Sequence, residues 1–309
     1  MSAMGAPRIL LLGADGQLGT ELRRSLAGGQ GGLVAATLSG SVDGAPCEAA
    51  DFSQPDTLPS LLDRIAPDVV VNAAAYTAVD RAEQEVELAF RVNAEAPDVL
   101  AAACAARGAT FVHYSTDYVF DGQGTRPYLE DDSTAPLGVY GASKLAGEIA
   151  VMSSGARHMI FRTAWVYAAH SHNFLRTMLR VGAERDSLRV VADQVGTPTP
   201  AALLADVTAG ALRADAAPSG LWHLTPAGHV SWHGFAEAIF EGAVARGLLP
   251  RAPRVEAITT ADYPTPAARP AYSVLDCGAL QRDFGIALPD WRAGLAATLD
   301  ELAQAAGRP

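Results

Sequence analysis

The sequence predicts an α/β fold: a doubly wound parallel sheet followed by a smaller, mostly helical C-terminal domain. Three observations predict it. Short apolar runs of strand length recur through the first half of the chain, bounded by small or turn-forming residues. Segments of helical periodicity alternate with them, which sets consecutive strands parallel and covers both faces of the sheet. The first run also leads straight into a glycine-rich turn and a helix, Gly13-Ala-Asp-Gly16-Gln-Leu-Gly19.

A chain of 309 residues is long for one domain and ample for two. With 49% hydrophobic and 18% charged residues, its composition is that of a globular protein. The net charge of −11 argues against nucleic acid or an anionic membrane as partner. Any anionic ligand is therefore held by local backbone N–H groups or placed arginines. Cys47, Cys104 and Cys277 are far apart and form no Cys-x-x-Cys pair, so neither a disulfide framework nor a zinc site is expected. His170 and His172 fit no common metal spacing and read as surface or loop residues. No apolar run approaches the ~18 residues that span a bilayer, and no cleavable leader is evident, so the expectation is a soluble cytoplasmic protein. Met1 to Gly5, with a second methionine at position 4, reads as a start-site extension.

Taken in order, residues 8–12 form a buried strand and Thr20 to Leu26 the helix after the turn. Glycine permits the tight turn and close backbone approach, and the helix start offers N–H groups to a pyrophosphate. A second strand is expected at Leu33–Leu38. There the acidic residue that binds the ribose of NAD is missing, since Ala36-Thr37-Leu38-Ser39 holds neither carboxylate nor arginine. Its absence points toward NADPH, with NADH also accepted. Asp51 and Phe52 stand near the expected adenine position. Leu58–Ile65 reads as a helix, residues 69–72 as a strand running into the small residues 73–75, and Glu83–Asn93 and Pro97–Arg107 as helices. Residues 110–114 form a strand ending at Ser115-Thr116-Asp117-Tyr118, which places hydroxyls at a carboxyl end of the sheet. Met159–Arg162 is a further strand. Beyond it come helices at Asn173–Ala183 and Ala201–Leu212, a strand at residues 189–192 and another at 221–224. The Pro-interrupted remainder carries helices at Ser231–Arg246, Cys277–Phe284 and Trp291–Ala305. This pattern gives a dinucleotide-binding Rossmann domain from 5–168 and 195–224, and a substrate domain from 169–194 and 225–309.

Of the 23 basic residues only one, Lys144, is a lysine. It lies four residues after Tyr140, which on a helix puts both side chains on one face. An ammonium is a compact point charge that a guanidinium cannot imitate. Beside a phenol it favours the phenolate, lowering the tyrosine pKa from ~10 toward the working pH and making a proton donor or acceptor.

The glycine turn, the strand-end Ser115 and Thr116, and the Tyr140/Lys144 pair resemble the extended short-chain dehydrogenase/reductases. The blocks Val71-Asn-Ala-Ala-Ala-Tyr-Thr-Ala-Val-Asp80, Tyr114-Ser-Thr-Asp-Tyr-Val-Phe-Asp-Gly122, Tyr140-Gly-Ala-Ser-Lys-Leu-Ala-Gly-Glu148 and Arg162-Thr-Ala-Trp-Val-Tyr167 are similar to those of the dTDP-4-dehydrorhamnose reductases, almost end to end. The resemblance implies NAD(P)H-dependent reduction of the 4-keto group of dTDP-4-dehydro-β-L-rhamnose, in dTDP-rhamnose biosynthesis. It puts Gly13, Gly16, Gln17, Leu18 and Gly19 at the cofactor pyrophosphate and Asp51 and Phe52 at the adenine. Ala75, Tyr76, Thr77 and Tyr114 line the cofactor's path. Tyr140 is implied as the acid/base, Lys144 as its partner on the nicotinamide ribose, and Thr116 as the hydroxyl polarising the substrate oxygen. Thr116, Asp117 and Trp165 are implied sugar-nucleotide contacts, although Trp165 reads equally as core. Arg269 is a candidate for the substrate diphosphate, or else a solvated arginine. Glu21 and Glu301 match two positions of a Mg²⁺ site described in some relatives, but Ala201-Ala202 supplies no third carboxylate, which argues against a metal. A dehydratase needs adjacent Asp and Glu after the threonine, and here Tyr118 follows Asp117. The chain also resembles the regulatory beta subunit of methionine adenosyltransferase, a non-catalytic dinucleotide binder. Oligomeric state is not fixed by any motif, with a homodimer as the working expectation.

Overall fold

Four consecutive aliphatic residues, Ile9–Leu12 (β1), are buried on both sides. Such a strand needs partners along both edges and cover over both faces. The computed structural model, which describes residues 7–27, 32–214 and 218–307, supplies both. Met1 to Gly5 lie outside the described residues. The other strands of the main sheet are β2 (Leu33–Thr37), β3 (Glu48–Ala49), β4 (Val69–Asn72), β5 (Thr110–Thr116), β6 (Arg157–Thr163) and β7 (Gly220–His223). The seven stand in the order β7-β6-β5-β4-β1-β2-β3, all parallel. The chain winds outward from β1 in one direction and then, from β4, in the other. The reversal leaves a crevice at the carboxyl ends of β1 and β4.

The longer helices are α1 (Gln17–Leu26), α2 (Leu58–Ile65), α3 (Ala96–Arg107), α4 (Val139–Ser153), α5 (Phe174–Glu184), α6 (Ala201–Leu212), α7 (Trp232–Ala245), α8 (Gly278–Phe284) and α9 (Trp291–Ala306). Leu22 and Leu26 of α1 and Leu204 of α6 cover one face of the sheet. Leu62 of α2, Leu100 of α3 and Val151 of α4 cover the other. A separate apolar cluster joins Leu175 of α5, Phe235 and Ile239 of α7, and Trp291 and Leu299 of α9. Beside it Ser187–Val191 pairs in parallel with Arg254–Ile258, a strand that the sequence reading missed.

Several expected elements shift by a few residues at their ends, and one boundary differs in kind. Glu83–Asn93 and Pro97–Arg107 were two helices in the sequence reading. Instead Val86–Phe90 runs through a π-helical stretch, Arg91–Glu95, directly into α3. Pro97 has no N–H to give the carbonyl of Asn93, so the local hydrogen-bond pattern shifts instead of ending the helix. The shifted turn buries Asn93, whose Oδ1 accepts from the Tyr76 N–H (2.8 Å) and whose Nδ2 donates to the Tyr76 carbonyl (3.0 Å) and to Ser143 Oγ (3.0 Å). One side chain thus ties the loop after β4 to α4.

Gly147 of α4 faces the same turn. A Cβ there would stand 2.1 Å from the Asn93 carbonyl oxygen. Gly147→Ala must push the two helices apart, and overpacking of this kind costs about 1–3 kcal/mol. We expect a lower urea midpoint at unchanged m-value for this variant in equilibrium unfolding.

Candidate active site

The carboxyl ends of β1, β4 and β5 open on a cleft of about 690 Å³. Its floor is the glycine turn. Gly13 has φ +73°, and a Cβ on it would lie 2.7 Å from the Ala74 backbone nitrogen, so only glycine lets the turn rest on the strand beside it. Gly19 does not line the cleft; it packs underneath, where a Cβ would meet the Gly13 carbonyl at 2.0 Å. Gly16 is the N-cap of α1, with no side-chain cap and no acid in the first turn. The free N–H groups beside Gln17 and Leu18 therefore face the cleft, a cradle suited to a pyrophosphate. Gln17 Oε1 also accepts from Asn173 Nδ2 (2.9 Å), linking this turn to the start of α5.

Asp51 and Phe52 form the far wall with exposed Leu38. Asp51 accepts from the Ser53 hydroxyl, the Ser53 N–H and Gln54, and the Ser53 hydroxyl above all holds its carboxyl below the usual range. Ala75, Tyr76 and Thr77 pass along the opening, and Leu88 and Val92, unforeseen from the sequence, face them from the helix leading into α3. Their signal was apolar residues on the cleft side of a helix, which sequence alone does not separate from core.

At the other end Tyr140 and Lys144 project from the first two turns of α4. The helix starts at Gly138, where Glu83 Oε1 accepts the Val139 N–H (2.8 Å). Gly141 rests on the Tyr118 carbonyl, 2.2 Å from where a Cβ would stand. These contacts fix the helix start over the end of β5. The Tyr140 ring packs edge-on against Tyr118 (5.6 Å, 78°), and its hydroxyl lies near Thr116. Lys144 is 3% exposed and donates to the Tyr114 carbonyl at 2.6 Å. The Tyr114 phenol turns away, to Thr208 (2.8 Å).

The electrostatics correct one expectation. Tyr140 is not lowered by its neighbour: burial pushes it up to about 12, Thr116 lowers it and Asp117 raises it further. The amine is turned into the Tyr114 carbonyl, and burial brings Lys144 itself down to about 8 against the raising influence of Glu148. Tyr140 is therefore a held proton, a donor before it is an acceptor. Ser115 and Thr163, both buried with unpartnered hydroxyls, line the same end of the cleft. Polar atoms left this way need a ligand or solvent partner.

Residues 7–304 match the family described as RmlD substrate binding domain. The chain belongs to that family. It is 51% identical over 294 residues to the dTDP-4-dehydrorhamnose reductase of Burkholderia thailandensis, covering 92% of this chain and 95% of that one. The Escherichia coli K12 enzyme of the same name is 46% identical over 299 residues, 95% of this chain and 97% of its own. Among solved structures, the Bacillus anthracis dTDP-4-dehydrorhamnose reductase in complex with NADP superposes with a TM-score of 0.87 at 33% identity, covering 96% of this chain and all (100%) of that one. The Clostridium acetobutylicum reductase gives 0.87 at 37% identity, over 96% and 99%.

The remaining expected residues of this family member are less alike in setting. Trp165 is half-buried with φ +47°, and its indole stacks flat on Trp232 at 3.6 Å over Gly196. Trp232, 67 residues away, was not legible as a site residue. Arg269 pairs with Asp80 (2.9 Å) and donates to the Ala267 carbonyl (2.8 Å), so its guanidinium is already engaged. Glu21 accepts from His170 Nε2 (2.6 Å) and Arg24 (3.0 Å), and Arg24 also reaches Glu301 (3.1 Å). An arginine between two carboxylates does not fit a hard cation, which wants several free oxygens. Among the described residues no cluster of three metal-ligating side chains occurs.

Asp117 is fully enclosed. Thr116 donates to its Oδ1 (3.0 Å), and Oδ2 has no partner. Burial raises it to about 6. A folded-state value above the unfolded ~3.9 means that the native state holds the proton longer. Stability contributed by the neutral acid is therefore lost as pH rises through about 4 to 6. We expect Asp117→Asn to flatten that loss, so that wild type and variant diverge by about 2 kcal/mol between pH 4.5 and 7.5 in urea titrations.

Proposed function

We propose that the protein reduces the 4-keto group of dTDP-4-dehydro-β-L-rhamnose to give dTDP-β-L-rhamnose, with NADPH as the preferred reductant. The observation that carries the reading is the placing of Tyr140 and Lys144, one helical turn apart, at the end of the cleft, with Thr116 near the Tyr140 hydroxyl. In a family whose curated members carry that reductase name, this arrangement is catalytic equipment that a purely regulatory binder would not require.

Gly13, Gly16, Gln17 and Leu18 would hold the cofactor pyrophosphate, with Asp51 and Phe52 at the adenine and Ala75, Tyr76, Thr77 and Tyr114 between. Gly19 acts from below. When bound, the reduced nicotinamide supplies the hydride. Tyr140 delivers the proton to the developing alkoxide from its hydroxyl. Thr116, its hydroxyl proton turned from Asp117, donates to the same oxygen and steadies its charge. Lys144 orients the ribose and offers positive charge near the phenolate that Tyr140 becomes. Asp117 Oδ2 takes a sugar hydroxyl, Trp165 lies against the sugar, and Arg269 reaches the diphosphate if Asp80 releases it. The reading divides the chain into a cofactor part at 5–168 and 195–224 and a substrate part at 169–194 and 225–309.

No helix among the described residues is long and apolar enough to cross a membrane. The reading adds a cytoplasmic homodimer, which light scattering after size exclusion checks. For the chemistry, oxidation of NADPH and NADH is followed with enzymatically made substrate. Tyr140→Phe should lower kcat by roughly 10²–10⁴-fold with little change in cofactor Kd. Wild type that binds NADPH and turns over no keto sugar would send the reading back to a binding subunit.

A further inference from the structure

His113 lies inside β5, 1% exposed, its ring stacked on Phe111 (6.0 Å, 13°). Its two nitrogens face different groups. Nδ1 is 3.2 Å from Asn72 Nδ2 at the end of β4, and Nε2 is 3.4 Å from Lys144 Nζ. Asn72 Oδ1 accepts the Ala74 N–H (3.1 Å), which fixes the amide and leaves Nδ2 as the donor toward the imidazole. Nδ1 must then be the acceptor. Burial, and the nearby amine after it, hold His113 far below its ordinary range, so the ring is neutral and carries one proton. With Nδ1 accepting, that proton is on Nε2.

We propose that His113 is a positioning residue for Lys144, presenting an N–H to the amine so that its protons turn to the Tyr114 carbonyl and the cleft, and its hold on the third proton is weakened. An ammonium has only donors, and a donor facing a donor opposes the charged form. The other groups around the amine do not explain the effect. From its own helix come Tyr140, a neutral phenol, and Glu148, which is bonded to Arg162 of β6 and favours the charged form. From β5 comes the Tyr114 carbonyl, which also favours it, and from the turn just after β5 comes Asp117, which acts through Tyr140. Burial is the main opposing influence, and the His113 N–H, 3.4 Å from the amine, adds to it. His113 thereby lets Lys144 exchange a proton near working pH, where a free lysine would stay charged.

The test needs no substrate, so it stands apart from the reductase reading. Lys144 is the only lysine, so protein made with [¹³Cε,¹⁵Nζ]-lysine gives one side-chain resonance, titrated from pH 6 to 11. In wild type we expect a midpoint near 8. His113→Gln can turn a carbonyl to the amine, and His113→Phe removes the N–H while keeping the stack. Both should move the midpoint up by about one pH unit or more toward the ordinary ~10.4. Midpoints unchanged in folded variants overturn the proposal. Should neither variant fold, long-range ¹H–¹⁵N spectra of wild-type histidines decide it: a protonated Nε2 for His113 supports the proposal, and a protonated Nδ1 overturns it.

Discussion

Glu148 and Arg162 meet through two hydrogen bonds, 2.9 and 2.7 Å, with both side chains buried. This pair bolts α4 to β6 one turn beyond the lysine, and so sets the rotation of the helix that carries Tyr140 and Lys144. Arg162 also donates to the Glu130 carbonyl and lies over the Phe120 ring, 5.2 Å from its centroid. Removing one partner would strand a charge in the interior, a loss of about 3–5 kcal/mol, whereas the intact pair adds less than that to stability. Its worth is geometric. With the glycines at 141 and 147 allowing close approach, the pair leaves the helix one way to sit.

The sheet and its glycine turn were legible because their causes are local. A run of four aliphatic residues, a turn that only glycine can make and a helix with an open start all lie within eighteen residues of chain. The pairing of Tyr140 with Lys144 was legible for the same reason, being one helical turn. Other features depend on partners brought from far away. The capping of α4 by Glu83, the clamp that Asn93 puts on Tyr76 and the stack of Trp232 on Trp165 join segments tens of residues apart, and no periodicity announces them. The proton affinity of Tyr140 failed for a related reason. Spacing says that a cation is near; only packing says that the cation points elsewhere and that burial governs the phenol.

The charge balance of the molecule has a matching logic. A chain of net charge −11 that is read as binding two phosphate-bearing ligands does not attract them by its overall field. Local devices remain: the open start of α1 at one end of the cleft and arginines such as Arg269 near the other. Because that arginine is already paired with Asp80, a diphosphate would have to compete with a carboxylate for it, which favours the ligand that fits over one that is merely anionic.

The surface carries its positive charge as guanidinium, and the one ε-amine is buried against β5. Lysine is the residue that acetylation, ubiquitin transfer and carbamylation act on. The folded chain therefore offers no side-chain amine to those reactions, and its modification by such routes waits on the loosening of α4. Acylation at Lys144 therefore records loosening of the helix, not surface exposure.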